Sequence, residues 1–229
     1  MQGVIKHMGT FFVRAITGIV FAAFVLAVFF LLPPWCFSAL LLLVAAEIVL
    51  FEWSAIVVIN KSFFVPFTLL YPILPFALMI ALNQRVEFRF LLIVAIFLAF
   101  AFDTGAYIFG VLFGRNRLVP LISYGKTWEG LLGGCFCACV TSTLIIKYIS
   151  GFWNVFDGLL LGFLFAAFLL AGDLFESTLK RLAGLKDSGF ILPGHGGLLD
   201  RFDSILFAAY FIFFFRDQLI VIIRQSYFL

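Results

Sequence analysis

At 229 residues, 65% hydrophobic and only 12% charged, the chain is too apolar for a soluble domain, which carries about 25% charged residues. One core cannot hide that excess, because a folded chain of this size still shows water a large surface. The formal net charge of +3 comes without a basic tail or a Lys/Arg-rich run, which argues for no nucleic acid partner and leaves the bilayer as the natural solvent.

The first apolar run, 11–32, follows Lys6 and Arg14 and ends at Pro33-Pro34 without a small-residue cleavage site, so it reads as a retained helix rather than a secretory signal. Further spans are expected at 35–59, 63–82, 89–112, 130–149, 154–175 and 203–223, most of them near the roughly 20 residues that a crossing requires. Breaks fall at Pro33-Pro34, Asn60-Lys61, "NQRVEFR", the polar stretch from Gly114 to Glu129, "SGFWN", and the charged segment from Ser177 to Asp203. The expected fold class is all-α: a polytopic integral membrane helical bundle with about seven transmembrane helices. Residues 1–88 hold the N-terminal helices and 89–229 the catalytic part, with loops 114–129 and 176–202. No period of 20 to 50 residues repeats.

Basic residues set the orientation. With the N-terminus inside, the inner segments hold Lys6, Arg14, Lys61, Arg115, Arg117, Lys126, Lys180, Arg181, Lys186 and Arg201, and the outer ones Arg85, Arg89, Lys147, Arg216 and Arg224. Both long polar segments are therefore expected in the cytoplasm. Cys135, Cys137 and Cys139 form C-x-C-x-C, but on a helix Cys137 points away from the other two, so they read as small apolar residues. The many phenylalanines read as lipid-facing or packed bulk. Gly110-x-x-x-Gly114 and Gly130-x-x-x-Gly134 fit close helix approach.

Chemistry is expected where charge interrupts the oil. Asp173 ends an apolar run, and Asp173, Glu176, Ser177 and Lys180 fall at i, i+3, i+4 and i+7, one face of a continuing helix. Asp200 and Asp203 share a face at the start of the last span. Between them, "LKDSG" and "LPGHGG" are turn-rich, and Gly194, Gly196 and Gly197 permit backbone amides to converge on an anion. Lys180, Arg181, Lys186 and Arg201 supply positive charge, and His195 can donate to phosphate. Upstream, Asp103 lies in an apolar helix, and "SYGKTWEG" brings Ser123, Lys126 and Thr127 for phosphate or ribose and Glu129 for a cation or base. Carboxylates and cations together suit a metal-bound polyphosphate, with aspartates on Mg²⁺ and Lys/Arg on the remaining oxygens. Glu47 and Glu52, in the second span, are costly to bury. Either can pair with Arg14, and neither is assigned to chemistry.

The pattern S-x-L-K-R-x4-K-D-x-G-x2-L-P-x-H-G-G-L-x-D-R-F-D, from Ser177 to Asp203, resembles the signature of phosphatidate cytidylyltransferases, the CDP-diacylglycerol synthases. "DTGAY" at 103–107 and S-x-G-K-T-W-E-G at 123–130 are similar to the family's preceding motifs, with Tyr124 where the family often has Pro. "FEW" at 51–53 is a weaker echo. The resemblance covers roughly 100–204; the first ninety residues match mainly in hydropathy.

The resemblance implies a membrane-embedded helical enzyme that joins CTP and phosphatidic acid, a membrane lipid, to give CDP-diacylglycerol and pyrophosphate. It implies a Mg²⁺ centre on Asp173 and Asp200, admits a companion K⁺, and admits a homodimer. The catalytic set is then Asp173, Asp200, Asp203, Lys180 and Arg201. The substrate-binding set is Asp103, Ser123, Lys126, Thr127, Ser177, Arg181, Lys186, Asp187, His195, Gly196 and Gly197. Two rivals are a CTP-dependent lipid or polyprenol kinase and an ion-coupled transporter. Charges gathered at one end of the spans beside glycine-rich loops favour an enzyme over a transporter, which tends to place them at midplane on broken helices.

Overall fold

The computed structural model describes residues 20, 22–56, 61–151, 153–189, 191 and 196–224. Helix α1 is Ala22–Leu31, within the first expected span; residues 11–19 and 21 of that span lie outside the described residues. Helix α2 starts at Pro34, whose missing N–H costs nothing in a first turn. It runs through Pro34–Glu47, a π-helical turn at Ile48–Glu52, and Trp53–Ile56. Helix α3 comprises Lys61–Thr68, a second π turn at Leu69–Ile73 and Leu74–Asn83. Pro72 lies inside that turn, where its absent N–H forces the ladder to re-register.

Helix α4 is Val86–Phe113, α5 Trp128–Ser150, α6 Val155–Leu182, α7 Leu199–Phe214 and α8 Arg216–Arg224. Among the described residues, five helices are long and apolar enough to cross a membrane, or six if α7 and α8 count as one span. The all-α class holds, and the chain is an integral membrane protein.

Three local features differ from the sequence expectation. The last span, expected straight from 203 to 223, starts at Leu199 and bends by 83° between α7 and α8. Arg216 sits at the corner, donating to the Phe213 carbonyl at 2.7 Å and placing its guanidinium over the rings of Phe88 and Phe213. Helix α8 then buries only Leu219 and Ile223. Secondly, α6 continues to Leu182, so the stretch read as a loop over 176–202 is helical at both ends. Thirdly, the polar stretch after α4 contains a hairpin, β1 (Arg117–Val119) antiparallel to β2 (Ser123–Thr127), with Arg117 opposite Thr127 and Val119 opposite Ser123. Tyr124 carries the Arg117 guanidinium 4.4 Å above its ring, a contact that a proline there would lack.

The chain divides into two compact units. The first comprises the chain up to Phe76 together with Leu179–Phe202. Its core includes Phe37, Ile48, Trp53 and Phe76, each at most 1% exposed. The Trp53 indole N–H donates to Thr68 Oγ1 at 2.7 Å, so the one polar atom of that side chain is satisfied in an apolar setting.

The second unit comprises Ala77–Thr178 and Asp203–Leu229. Helices α4 and α5 pack along their length, with Gly110 and Gly130 facing each other as the spacing suggested. Helices α6 and α7 meet through rings, Phe165 edge-on and Phe168 stacked against Phe211. They come close together at Gly172, where an added Cβ would lie 2.5 Å from the Asp203 carbonyl oxygen. Gly172→Ala is expected to force these helices apart and to cost about 1–3 kcal/mol, read as a lower midpoint of thermal unfolding in detergent. An unchanged midpoint would remove this crossing from the packing that matters.

Candidate functional site

Within the second unit, the hairpin is anchored to the first turn of α5. Thr127 caps that helix, its Oγ1 accepting from Gly130 N at 3.1 Å. The Glu129 carboxylate accepts from the backbone amides of Arg115 and Asn116 at 3.2 Å and from Asn116 Nδ2 at 2.9 Å. The Asn116 carbonyl in turn accepts from Trp128 N at 3.0 Å. Glu129, expected to orient a cation or base, thus closes the loop, and Thr127 spends its hydroxyl on a helix end.

This frame fixes Lys126 over α6. Lys126 Nζ lies 2.5 Å from Asp173 Oδ2, with the two side chains 22% and 29% exposed. At that distance the two groups form an ion pair. Asp173 Oδ1 accepts weakly from Ser177 Oγ at 3.4 Å, one turn along α6. Asp103, Tyr107, Lys126, Thr127 and Asp173 are among the residues lining a cavity of about 220 Å³. Ser123 lies in β2 opposite Val119. Asp203 is buried, and its Oδ1 accepts from Ser204 N at 2.6 Å and Ser204 Oγ at 3.2 Å; it is not among the cavity's lining residues.

The first unit holds the other cluster. Lys180, near the end of α6, donates to Asp200 Oδ1 at 2.6 Å, with side-chain exposures of only 11% and 8%. Asp200 sits in the first turn of α7. Its Oδ2 accepts from Gly197 N at 2.8 Å and Ser188 N at 3.1 Å. The carboxylate thus ties the start of α7 to the loop residues ahead of it, while the amides at the helix start itself, Leu198 N and Leu199 N, go to Glu52. Gly196 has φ +82°, and a Cβ there would collide with Asp200 Oδ2, so both conformation and space reserve the position for glycine. Arg181, Lys186, Asp187 and Arg201 are exposed, with Arg181 donating to the Leu185 carbonyl at 3.1 Å. His195 lies outside the described residues.

Glu52 is what sequence reasoning passed over. It is 2% exposed, and its carboxylate accepts from Ser188 Oγ at 2.8 Å, Leu198 N at 2.7 Å and Leu199 N at 2.8 Å. The signal was an acid in an apolar run, in the "FEW" echo, but its partners lie far along the chain. Arg14, the partner considered for it, is outside the described residues.

Apolar spans ending in paired carboxylates and ammonium groups, with a glycine-rich turn beside one of the pairs, define an integral membrane protein that carries a charged cluster in each of its two units. Compared with known families, the chain matches the cytidylyltransferase family over residues 56–219 and belongs to it. It is similar to the phosphatidate cytidylyltransferases of Staphylococcus haemolyticus and Staphylococcus epidermidis, at 49% identity, and of Staphylococcus aureus, at 48%. Each match runs over 105 residues, 46% of this chain and 40% of the relative, so the chain spans about two fifths of the length of the curated relatives it matches.

Proposed function

We propose that this protein transfers the CMP group of CTP to phosphatidic acid, giving CDP-diacylglycerol and pyrophosphate. The observation that carries the reading is the cavity in which Lys126 meets Asp173 beside Asp103 and Thr127, built from the motifs that place the chain in its family.

In the reaction, a phosphatidate oxygen attacks the α-phosphorus of CTP in line. The bond from that phosphorus to the bridging oxygen breaks, and pyrophosphate leaves with the electron pair. The attacking oxygen is already anionic, so no strong general base is needed. The barrier comes from bringing two anions together and from charge gathering on the leaving group, and preorganised cations lower both. Lys126 is one such cation, held in place by the hairpin. Lys180, Arg181, Lys186 and Arg201 are the others, with His195 as a further donor.

Among the described residues, no group of three or more His, Cys, Asp or Glu is arranged to hold a metal ion. Mg²⁺ asks for less, commonly one or two carboxylates completed by water and phosphate. Asp173 suits that role, since it lines the cavity and already carries a cation against one oxygen. Asp200 is the second ligand the motif implies; in the described arrangement both its oxygens accept from nitrogen donors. When bound, Mg²⁺ would draw charge from the triphosphate oxygens. The excess of basic residues in the segments bearing both clusters supports a cytoplasmic face for this chemistry, with the lipid's acyl chains left in the bilayer.

The test uses the full chain in detergent with phosphatidic acid, Mg²⁺ and CTP labelled at the α-phosphate. Label is expected in lipid. Lipid labelled only from γ-labelled CTP would identify a kinase instead, and no labelled lipid from either would overturn both readings.

A further inference from the structure

We propose that Glu52 is a positioning residue for the Lys180–Asp200 pair, acting through the segment from Ser188 to Leu199. The family match covers residues 56–219 and so does not include Glu52. With 2% exposure, Glu52 does not meet substrate. Its three described hydrogen bonds come from a hydroxyl and two amides of the polar segment, at 2.7–2.8 Å.

The two clusters of contacts interlock. Ser188 gives its hydroxyl to Glu52 and its backbone N–H to Asp200. Leu198 and Leu199 give their N–H groups to Glu52, while Gly197, immediately before them, gives its own to Asp200. The two carboxylates therefore hold the same segment at the same two places, 188 and 197–199. Glu52 supplies the anchor from α2, and Asp200 turns towards Lys180. A Cβ on Gly197 would strike Glu52 Oε1 and lie 2.5 Å from its Cδ; one on Gly189 would lie 2.9 Å from Oε1. The glycines are where the backbone must press against this acid. The π turn that ends at Glu52 shifts the helix face there, a common device at sites where a side chain is re-aimed.

Glutamine at 52 keeps the size and loses the fit. Oε2 accepts from both Ser188 and Leu199, and Oε1 from Leu198, so an amide NH₂ must face one of two backbone N–H groups, donor against donor. The test compares wild type, Glu52→Gln and Trp53→Phe in the full chain in detergent, by hydrogen exchange of the Ser188, Gly197, Leu198 and Leu199 amides and by turnover with CTP and phosphatidic acid. Trp53→Phe is the control for damage to the surrounding core, since Trp53 bonds Thr68 and not the polar segment.

For Glu52→Gln, exchange at the Ser188, Gly197, Leu198 and Leu199 amides is expected to rise about tenfold or more, with α4 and α5 unchanged and turnover down about 10²-fold, the scale of a roughly 1 Å misplacement. Trp53→Phe should lower the unfolding midpoint while leaving the segment's exchange and turnover near wild type. Unchanged exchange in Glu52→Gln, or equal loosening in Trp53→Phe, would overturn the proposal. Should Glu52→Gln fail to fold, Gly189→Ala presses on the same carboxylate and must show the same pattern more mildly; wild-type exchange in that variant would equally overturn it. The turnover arm rests on the function proposed above, whereas the exchange arm needs no substrate. A wild-type protein inactive on CTP thus sinks that function and leaves exchange to decide the role of Glu52.

Discussion

Asp200→Ala is expected to abolish turnover and to destabilise the protein by about 3 kcal/mol, the lower end for breaking a buried ion pair. The alanine removes the carboxylate that Lys180 meets at 2.6 Å and strips the amides of Ser188 and Gly197 of an acceptor. Asp200→Asn separates the two effects. Its amide oxygen can still accept, so the unfolding midpoint should fall less, yet the charge opposite Lys180 is gone. Turnover lower by about 10² or more in a folded asparagine variant assigns the charge to the reaction. Near-normal turnover would take Asp200 out of the catalytic set and leave it as a structural acceptor for Lys180 and the Ser188 and Gly197 amides.

Asp173→Ala should have the opposite signature, with catalysis lost and stability kept. Asp173 is 29% exposed and Lys126 22%, so this half-buried pair should contribute less to folding than the more deeply buried Lys180–Asp200 pair. The unfolding midpoint is expected to stay within a few degrees of wild type while turnover falls about 10³-fold. Lys126→Ala should fall comparably. Because both side chains face one cavity, the double variant should be little worse than either single one, as groups that act as a unit are not additive. Full additivity, or turnover within tenfold of wild type for Asp173→Ala, would show that this cavity is not where the reaction occurs.

Much of this was legible because membrane helices advertise themselves. The apolar runs at 89–112 and 130–149 became Val86–Phe113 and Trp128–Ser150 because no other structure satisfies the backbone in lipid. Charges in or at the end of such runs stand out for the same reason, which singles out Asp103 and Asp173, whereas Lys126, Lys180 and Asp200 stand out as charges gathered in the polar segments between the runs. What sequence could not show was pairing across distance. Lys126 against Asp173 depends on a hairpin whose strands are too short to give a periodic signal. Glu52 against Leu198 spans 146 positions, and nothing local in α2 specifies it. The bend at Phe215 was missed because hydropathy continues across Arg216, whereas geometry follows where that guanidinium finds carbonyl and rings.

The separation of Glu52 from its donors also bears on how the protein is made. Helix α2 leaves the ribosome well before Ser188, Leu198 and Leu199 exist, so it must enter the membrane with an acid whose described donors have yet to be synthesised. On insertion scales such a group costs about 2.5–3.5 kcal/mol at the bilayer centre and less near its edge. The apolar bulk of Pro34–Ile56 must carry it until the later segment arrives. Assembly of the first unit therefore closes late, and chains stalled before residue 188 would present quality-control proteases with an unsatisfied carboxylate in an otherwise complete span.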